Sequence, residues 1–307
     1  MTAKLAIVLS CVALTGCLPW RHSEEALPLR SPSRDSLLQV DLRRAEVLAT
    51  GGWAGVGAAF FAEDIAYLRA GAPPIYGRPS VAVMIESNPR LPTSATWQPL
   101  GGGVSRDRLS GFTFGVAVYP HDEGGAPGVA RYIAFWKRQH RADWKILAYA
   151  EVGPASPVVK QVPDATLPAA AQDGVEARRA ALAIAASDSD FADDAAISGT
   201  ANAFGNAAAP DGIVFGGPEI VFGPAAIHDL FDAQRGTSLS WHPLYSRAAE
   251  SGDLGFSIGE SIATSRGQSG AAVQRFGKYL TIWRKEPNGD WKYVIDGGNA
   301  RPSPVGR

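Results

Sequence analysis

The sequence predicts an α+β protein made of two tandem copies of one small domain, and three observations carry that prediction. The first is an internal repeat: Tyr132, Trp136, Asp143, Trp144 and Lys145 recur as Tyr279, Trp283, Asp290, Trp291 and Lys292 at a constant spacing of 147 residues. Upstream, Trp97-x-Pro99 matches Trp241-x-Pro243, and Gly111-Phe112-Thr113-Phe114-Gly115 matches Gly255-Phe256-Ser257-Ile258-Gly259, both at a spacing of 144. Six of the eight tryptophans therefore fall into three pairs, which chance does not easily arrange. The second observation is the stretch VGPASPVVKQVPDATLPAAAQD, whose four prolines divide the chain near its middle. The third is the order of patterns in each copy, with helical spacing first and strand alternation after it.

Taken from the N-terminus, MTAKLAIVLSCVALTGC places Lys4 ahead of an apolar run from Leu5 to Leu14 and then small residues, the grammar of a signal peptide over residues 1–16. The run is too short to span a bilayer, which takes about 20 apolar residues. Leu14-Thr15-Gly16-Cys17 resembles the bacterial lipobox, so Cys17 is the expected lipid attachment point and the new N-terminus. With only Cys11 and Cys17 in the chain, cleavage leaves one cysteine and no internal disulfide. Several acyl chains, at about 0.8 kcal/mol per buried methylene, make a stable anchor. Leu18 in place of Asp after the cysteine favours, by resemblance to enterobacterial sorting, the periplasmic face of the outer membrane of the cell envelope.

Residues 17–36 are rich in Pro, Ser and charge and read as an extended tether. The first domain is expected over 37–152. Leu38, Val40, Leu42, Ala45 and Val47 have largely helical spacing, broken near Gly51-Gly52, which suggests a helical pair up to residue 60. IAYL, a turn-like APPIYGRP and a short helix at 79–87 follow, then the strand patterns GFTFGVAVY, RYIAFWKRQ and DWKILAYAE. Gly101-Gly102-Gly103 has no following Lys-Ser/Thr and reads as a flexible turn. Residues 153–173 form the linker, and the second domain repeats the order over 174–302, with FGPAAIHDLFDAQR as its short helix.

The runs GDLGFSIGE and GKYLTIWRKEPNGDWKYVIDGG resemble SnoaL-like members of the nuclear transport factor 2-like superfamily, relatives of ketosteroid isomerase. The resemblance covers nearly all of both domains. It implies a strongly bent antiparallel sheet wrapped around N-terminal helices, a cone with an internal pocket, and a sheet face through which such domains often pair. Tandem duplication supplies that pairing within one chain, as an intramolecular pseudo-dimer. One activity is not implied, because a fold of this kind hosts enzymes and binding modules alike. The first copy departs from the pattern: Arg108-Leu109-Ser110-Gly111 stands where the second has Gly252-Asp253-Leu254-Gly255, and Tyr149 stands where the second has Asp296.

The formal charge of −1 becomes −2 once a leader carrying only Lys4 is removed, which disfavours nucleic acid as a partner. Five scattered histidines and no CxxC give no metal motif, and His228 with Asp232, four apart on a helix, reads as a surface pair. No cofactor is indicated. Gly255-x-Ser257-x-Gly259 formally matches a nucleophile elbow, but it lies inside an alternating strand instead of a strand-to-helix turn. Alternation groups Phe256, Ile258 and Glu260 on one face. If that face lines the cone, Glu260 becomes an acid or base with a raised pKa; if the strand reaches solvent there, Glu260 is a surface charge.

Asp296 is the other catalytic candidate, with Asp-Gly-Gly turn chemistry as its plain alternative; Asp64 and Asp211 have the same plain reading. Donors for a ketosteroid-isomerase-like mechanism would be Tyr245, Trp241 or His242. Trp97, Tyr132, Tyr149, Trp241, Tyr245 and Tyr279 read as core or pocket-lining aromatics, and a pocket so lined accepts a small apolar molecule. The expected function is binding of such a ligand, or of a protein partner, without catalysis. The alternative is an isomerase, dehydratase or hydrolase with its site in the second domain.

Overall fold

The computed structural model describes residues 32–88, 91–120, 128–138, 143–152, 173–216, 219–234 and 236–303. The segment expected to be a signal peptide, Cys17, the expected tether up to residue 31 and the expected linker from 153 to 172 lie outside the described residues. Among those described, no helix is long and apolar enough to cross a membrane.

The first half runs α1 (Pro32–Leu42), α2 (Arg44–Phe60), β1 (Phe61–Leu68), β2 (Ile75–Tyr76), α3 (Arg78–Glu86), β3 (Thr96–Val104), β4 (Ser110–Tyr119), β5 (Gly128–Lys137) and β6 (Lys145–Val152). The second half repeats it: α4 (Val175–Ser198), α5 (Thr200–Ala207), β7 (Ala208–Gly216), β8 (Glu219–Phe222), α6 (Pro224–Asp232), β9 (Thr237–Ala248), β10 (Leu254–Arg266), β11 (Ala272–Lys285) and β12 (Trp291–Ala300). Helix α1 starts at Pro32, inside the segment read as tether; proline suits a first helical turn because its missing N–H is not needed there. The expected break is present at Gly52, which is non-helical at φ 62° and kinks α2, and a second break at residue 43 separates α1 from α2. Gly77 and Gly223, at φ 83° and 81°, each turn the chain into a short helix opened by proline.

Both sheets have six strands in the same order, β2-β1-β6-β5-β4-β3 and β8-β7-β12-β11-β10-β9. They are mixed where antiparallel pairing alone was expected: β1 lies parallel to β6 and β7 parallel to β12. Parallel pairing is open to these strands because a long crossover, not a hairpin, separates them in sequence. The glycine run expected to be a flexible turn is the end of β3. A Cβ on Gly102 would stand 2.2 Å from the Phe112 carbonyl oxygen, so glycine there permits a close approach of β3 to β4.

Alternation sends each sheet's two faces to different cores. Tyr132, Ala134 and Trp136 pack under the helices of the first half, and Trp283 and Tyr293 under those of the second. The opposite faces meet each other: Phe112, Phe114, Ile133 and Phe135 share one apolar cluster with Phe215, Phe256, Ile258 and Ile282. Phe135 lies 4.9 Å from Phe256, centroid to centroid, and Tyr76 6.0 Å from Tyr245. Around this core Arg247 pairs with Asp64 and with Asp173 at 2.9 Å, and Lys137 reaches Asp173 at 3.0 Å. The turns before β4 and β10 also touch: Arg106 N–H donates to Asp253 and Ser251 N–H to Asp107.

Buried at the same junction, Lys278 donates to the carbonyls of Arg69 (2.8 Å) and Ala300 (3.2 Å) and to Asn299. Burial lowers its pKa to about 7, opposed by Glu151.

Candidate functional site

The second half has a partly open cavity of about 350 Å³ between its helices and one side of its sheet. Helix α4 supplies one wall. Its buried stripe is Ala177, Ala180, Ile184, Asp188, Phe191 and Ala195, so a carboxylate sits within a row of apolar side chains at helical spacing. Asp188 is 1% exposed and accepts hydrogen bonds from Tyr279 Oη (3.0 Å) and Trp241 Nε1 (3.1 Å). Burial raises its pKa, and the bonds from Ser257, Tyr279 and Trp241 offset that only in part.

A second carboxylate stands on β12. Asp296 lines the cavity and accepts a bond from Thr281 Oγ1 at 2.5 Å. Desolvation pushes it up to about 7 against the help of Thr281, and the nearby Asp188 pushes the same way. Asp296 is thus the cavity carboxylate that changes charge near neutral pH. Phe191, Phe204, Trp241 and Tyr279 complete an aromatic lining. Arg275 stands exposed at the rim, and the Lys278 ammonium is held by acceptors at the junction between the halves.

The first half has the same frame with a different centre. Tyr132 donates to Asp41 at 2.7 Å as Tyr279 does to Asp188, and Trp136 donates to Thr113 at 2.8 Å as Trp283 does to Ser257. Arg44, at the repeat position of Phe191, pairs with Asp41 at 2.5 Å and is 2% exposed. Its guanidinium lies 4.8 Å from the Trp97 centroid, 4.6 Å from Tyr132 and 5.4 Å from Tyr149. Burial works against that charge, but Asp41, Tyr149 and Tyr132 outweigh it and hold the pKa above its ordinary value. Tyr149 takes the place of Asp296 and stacks on Tyr67 at 5.2 Å. Trp97 turns its Nε1–H to Tyr149 Oη at 3.5 Å. The first site is filled by its own side chains.

Of the expected site residues, the structure brings Asp296, Trp241 and Tyr279 together at the second cavity and Trp97, Tyr132 and Tyr149 around Arg44 in the first half. Glu260 does not reach the cavity. It lies on the sheet face of Phe256 and Ile258 and pairs with Arg301. Tyr245 is also on that outer face, because a bulge in β9 shifts the register between Gly259 and Ile258 and reverses which side each residue takes. His242 is exposed opposite Glu260. Ser257 is buried inside β10, with its oxygen taken by Trp283 Nε1 at 2.8 Å. Asp64 and Asp211 are ion-pair partners of Arg247 and Arg284. His228 contacts Asp229. Among the described residues no group of three or more His, Cys, Asp or Glu could hold a metal.

Sequence reasoning passed over Asp188, Thr281 and Arg44. The available signal was a charge inside a helical apolar stripe, at Asp188 in α4 and at Asp41 and Arg44 between Leu37 and Leu48.

Solved structures similar to this chain include a calcium/calmodulin-dependent protein kinase II association domain from Xanthomonas campestris, so described provisionally, at 19% identity over 38% of this chain and 86% of that one, with a TM-score of 0.33. A nuclear transport factor 2-like protein with a cystatin-like fold from Novosphingobium aromaticivorans matches at 23% identity over 41% and 82%, TM-score 0.33. A ketosteroid isomerase-like protein from Erwinia carotovora atroseptica matches at 16% identity over 40% and 97%, TM-score 0.35. No protein-family model and no curated protein matches the chain. The two halves share one element order and one sheet topology, in keeping with the resemblance of the sequence to the nuclear transport factor 2-like superfamily. That fold alone assigns no activity.

Proposed function

We propose that the second half is a receptor for a small, largely apolar molecule that presents a polar group to Asp296, and that the first half is its filled scaffold partner in an internal pseudo-dimer. The observation that carries this reading is the contrast at one repeat position: Tyr149 closes the first site, and Asp296 lines a cavity of about 350 Å³ in the second. A concave apolar space with few polar groups is the usual form of a small-molecule site. We further propose that a signal peptide exports the chain and that lipid on Cys17 holds it to the cell envelope, as the leader grammar supports.

The test is a thermal-melt screen of the protein against apolar molecules bearing a hydroxyl, carbonyl or amine. A ligand at 100 times its dissociation constant stabilises a two-state unit by about 2.7 kcal/mol, a shift easily resolved in a melt. Asp296→Tyr, which copies the first half, should abolish the shift while the protein stays folded. A hit unaffected by this substitution, or no hit at all, counts against the site. Labelling of the expressed protein with a radioactive fatty acid, lost in Cys17→Ser, tests the anchor.

One observation supports a catalytic second reading. A carboxylate held at about 7 beside the Asp188–Tyr279 pair has the parts of an isomerase that moves a proton next to a carbonyl. Turnover of a β,γ-unsaturated ketone that vanishes in Asp296→Asn would establish it; equal rates with and without the protein would exclude that substrate class.

A further inference from the structure

The two halves together also indicate the charge of the ligand. In the first half the frame of Asp41, Trp97, Tyr132 and Trp136 encloses a cation, the guanidinium of Arg44, paired with the carboxylate and surrounded by rings at 4.6–5.9 Å. The second half keeps all four frame positions, as Asp188, Trp241, Tyr279 and Trp283, but Phe191 replaces the arginine and brings no charge. Where Tyr149 closes the cage in the first half, the second offers another carboxylate in its open cavity. Phe191 fills the place of the guanidinium with a ring packed on Trp241, and the space beyond it is lined by Trp241, Tyr279 and Asp296; such ring faces and a carboxylate, with no guanidinium of the protein's own between them, are complementary to a cation from outside, because both attract positive charge in a desolvated site.

We infer that the second cavity binds organic cations, small molecules with a guanidinium or ammonium head on an aromatic or aliphatic body, and that Asp296 is the counter-ion. The inference rests on the reading of that cavity as a ligand site and gives its substrate class. The groups that act on Asp296 are Asp188 from α4, Tyr279 and Thr281 from β11, and Tyr293 on its own strand. The charged residues otherwise lining the cavity are Arg275, exposed at the rim, and Lys278, whose ammonium is bonded to Arg69, Asn299 and Ala300. Asp188 keeps its tyrosine and tryptophan donors, so Asp296 is the acid left to meet a ligand. Since Asp296 holds its proton below about 7, cation binding must release that proton and must strengthen as pH rises.

Phenylguanidine and phenylurea have nearly the same shape and differ in charge, which makes them the probes. Calorimetric titration of the full protein at pH 8 should show phenylguanidine binding at least about tenfold tighter than phenylurea, with roughly a tenfold or greater weakening at pH 5.5 as Asp296 becomes neutral. Asp296→Asn should erase both the preference and the pH dependence while phenylurea binding persists. Equal affinity for the two probes at pH 8, or a cation preference unchanged in Asp296→Asn, overturns the inference and leaves the ligand site standing. Failure of both probes to bind at either pH overturns the inference, and the thermal-melt screen then decides separately whether the ligand site stands.

Discussion

Replacement of Arg44 by methionine probes most directly what the filled site of the first half contributes. The guanidinium is 2% exposed, paired with Asp41 at 2.5 Å and placed over the rings of Trp97, Tyr132, Trp136 and Tyr149. Methionine fills much of the arginine's volume with a flexible apolar chain, so the packing loss is small beside the electrostatic one. Removing one member of a buried ion pair typically destabilises by about 3–5 kcal/mol, because the other charge remains buried without compensation. The cation–π contacts add up to about 2 kcal/mol where desolvated, and part of that overlaps the first figure.

The expected loss for Arg44→Met is therefore about 3–5 kcal/mol at neutral pH, read from the urea midpoint at constant m-value. The double variant Arg44→Met/Asp41→Asn removes the stranded carboxylate while leaving an amide oxygen for Tyr132 to donate to. Its loss should fall to about 1–2 kcal/mol, about 2–3 kcal/mol less than that of Arg44→Met alone. A single variant that loses under about 1 kcal/mol, or a double variant as unstable as the single losses added together, refutes the account of Arg44 as a caged counter-charge.

Three further outcomes are expected. Since Asp296 is raised from 3.8 to about 7, its stabilisation is fully present below about pH 4 and is lost as pH rises through 7, by up to about 4 kcal/mol; Asp296→Asn should remove that slope in urea melts between pH 5 and 8.5, and parallel slopes would contradict it. A Cβ on Gly259 would stand 2.2 Å from Tyr279 Oη and 2.3 Å from the His242 carbonyl, so Gly259→Ala should destabilise by about 1–3 kcal/mol, and unchanged melting would show that this contact yields freely. Phe135→Ala and Phe256→Ala, whose rings meet at 4.9 Å across the halves, should each lose about 3–5 kcal/mol and combine non-additively; strict additivity in the double variant would mean the two sheets do not depend on each other there.

The repeat and most strands were legible because alternation and paired tryptophans survive duplication at fixed spacing. Strands β3 and β9 were not, since the Gly101–Gly103 run resembles a turn until β4 is seen lying against its backbone. Alternation correctly grouped Glu260 with Phe256 and Ile258, but a single strand does not say which of its faces is concave. That choice depends on where the helices sit, and here the helices cover the face of Ser257 and Ser261. Tyr245 was read as a pocket-lining aromatic with no strand assigned around it, and the bulge in β9 puts it on the opposite face from Trp241. Asp188 and Arg44 were missed for a different reason: a charge in an apolar stripe reads as a blemish in the periodicity until its partner is known, Tyr279 on β11 for Asp188 and Asp41 for Arg44.

The duplication also separates structure from function within one chain. The bonds from tyrosine to helix carboxylate and from tryptophan to strand hydroxyl occur in both halves, including the first, whose centre Arg44 and Tyr149 fill, so they cannot by themselves mark a binding site. They fix the helix against the sheet in each copy. What differs is how the buried carboxylate is treated. In the first half Asp41 has a full counter-charge and the centre is closed; in the second Asp188 has neutral donors only, a raised pKa and a second acid across the cavity. The charge of Asp188 works against ionisation of Asp296, and no described residue of the second half pairs with Asp296 as Arg44 pairs with Asp41 in the first. The imbalance between the halves, more than any feature that they share, is what directs the proposed site to Asp296.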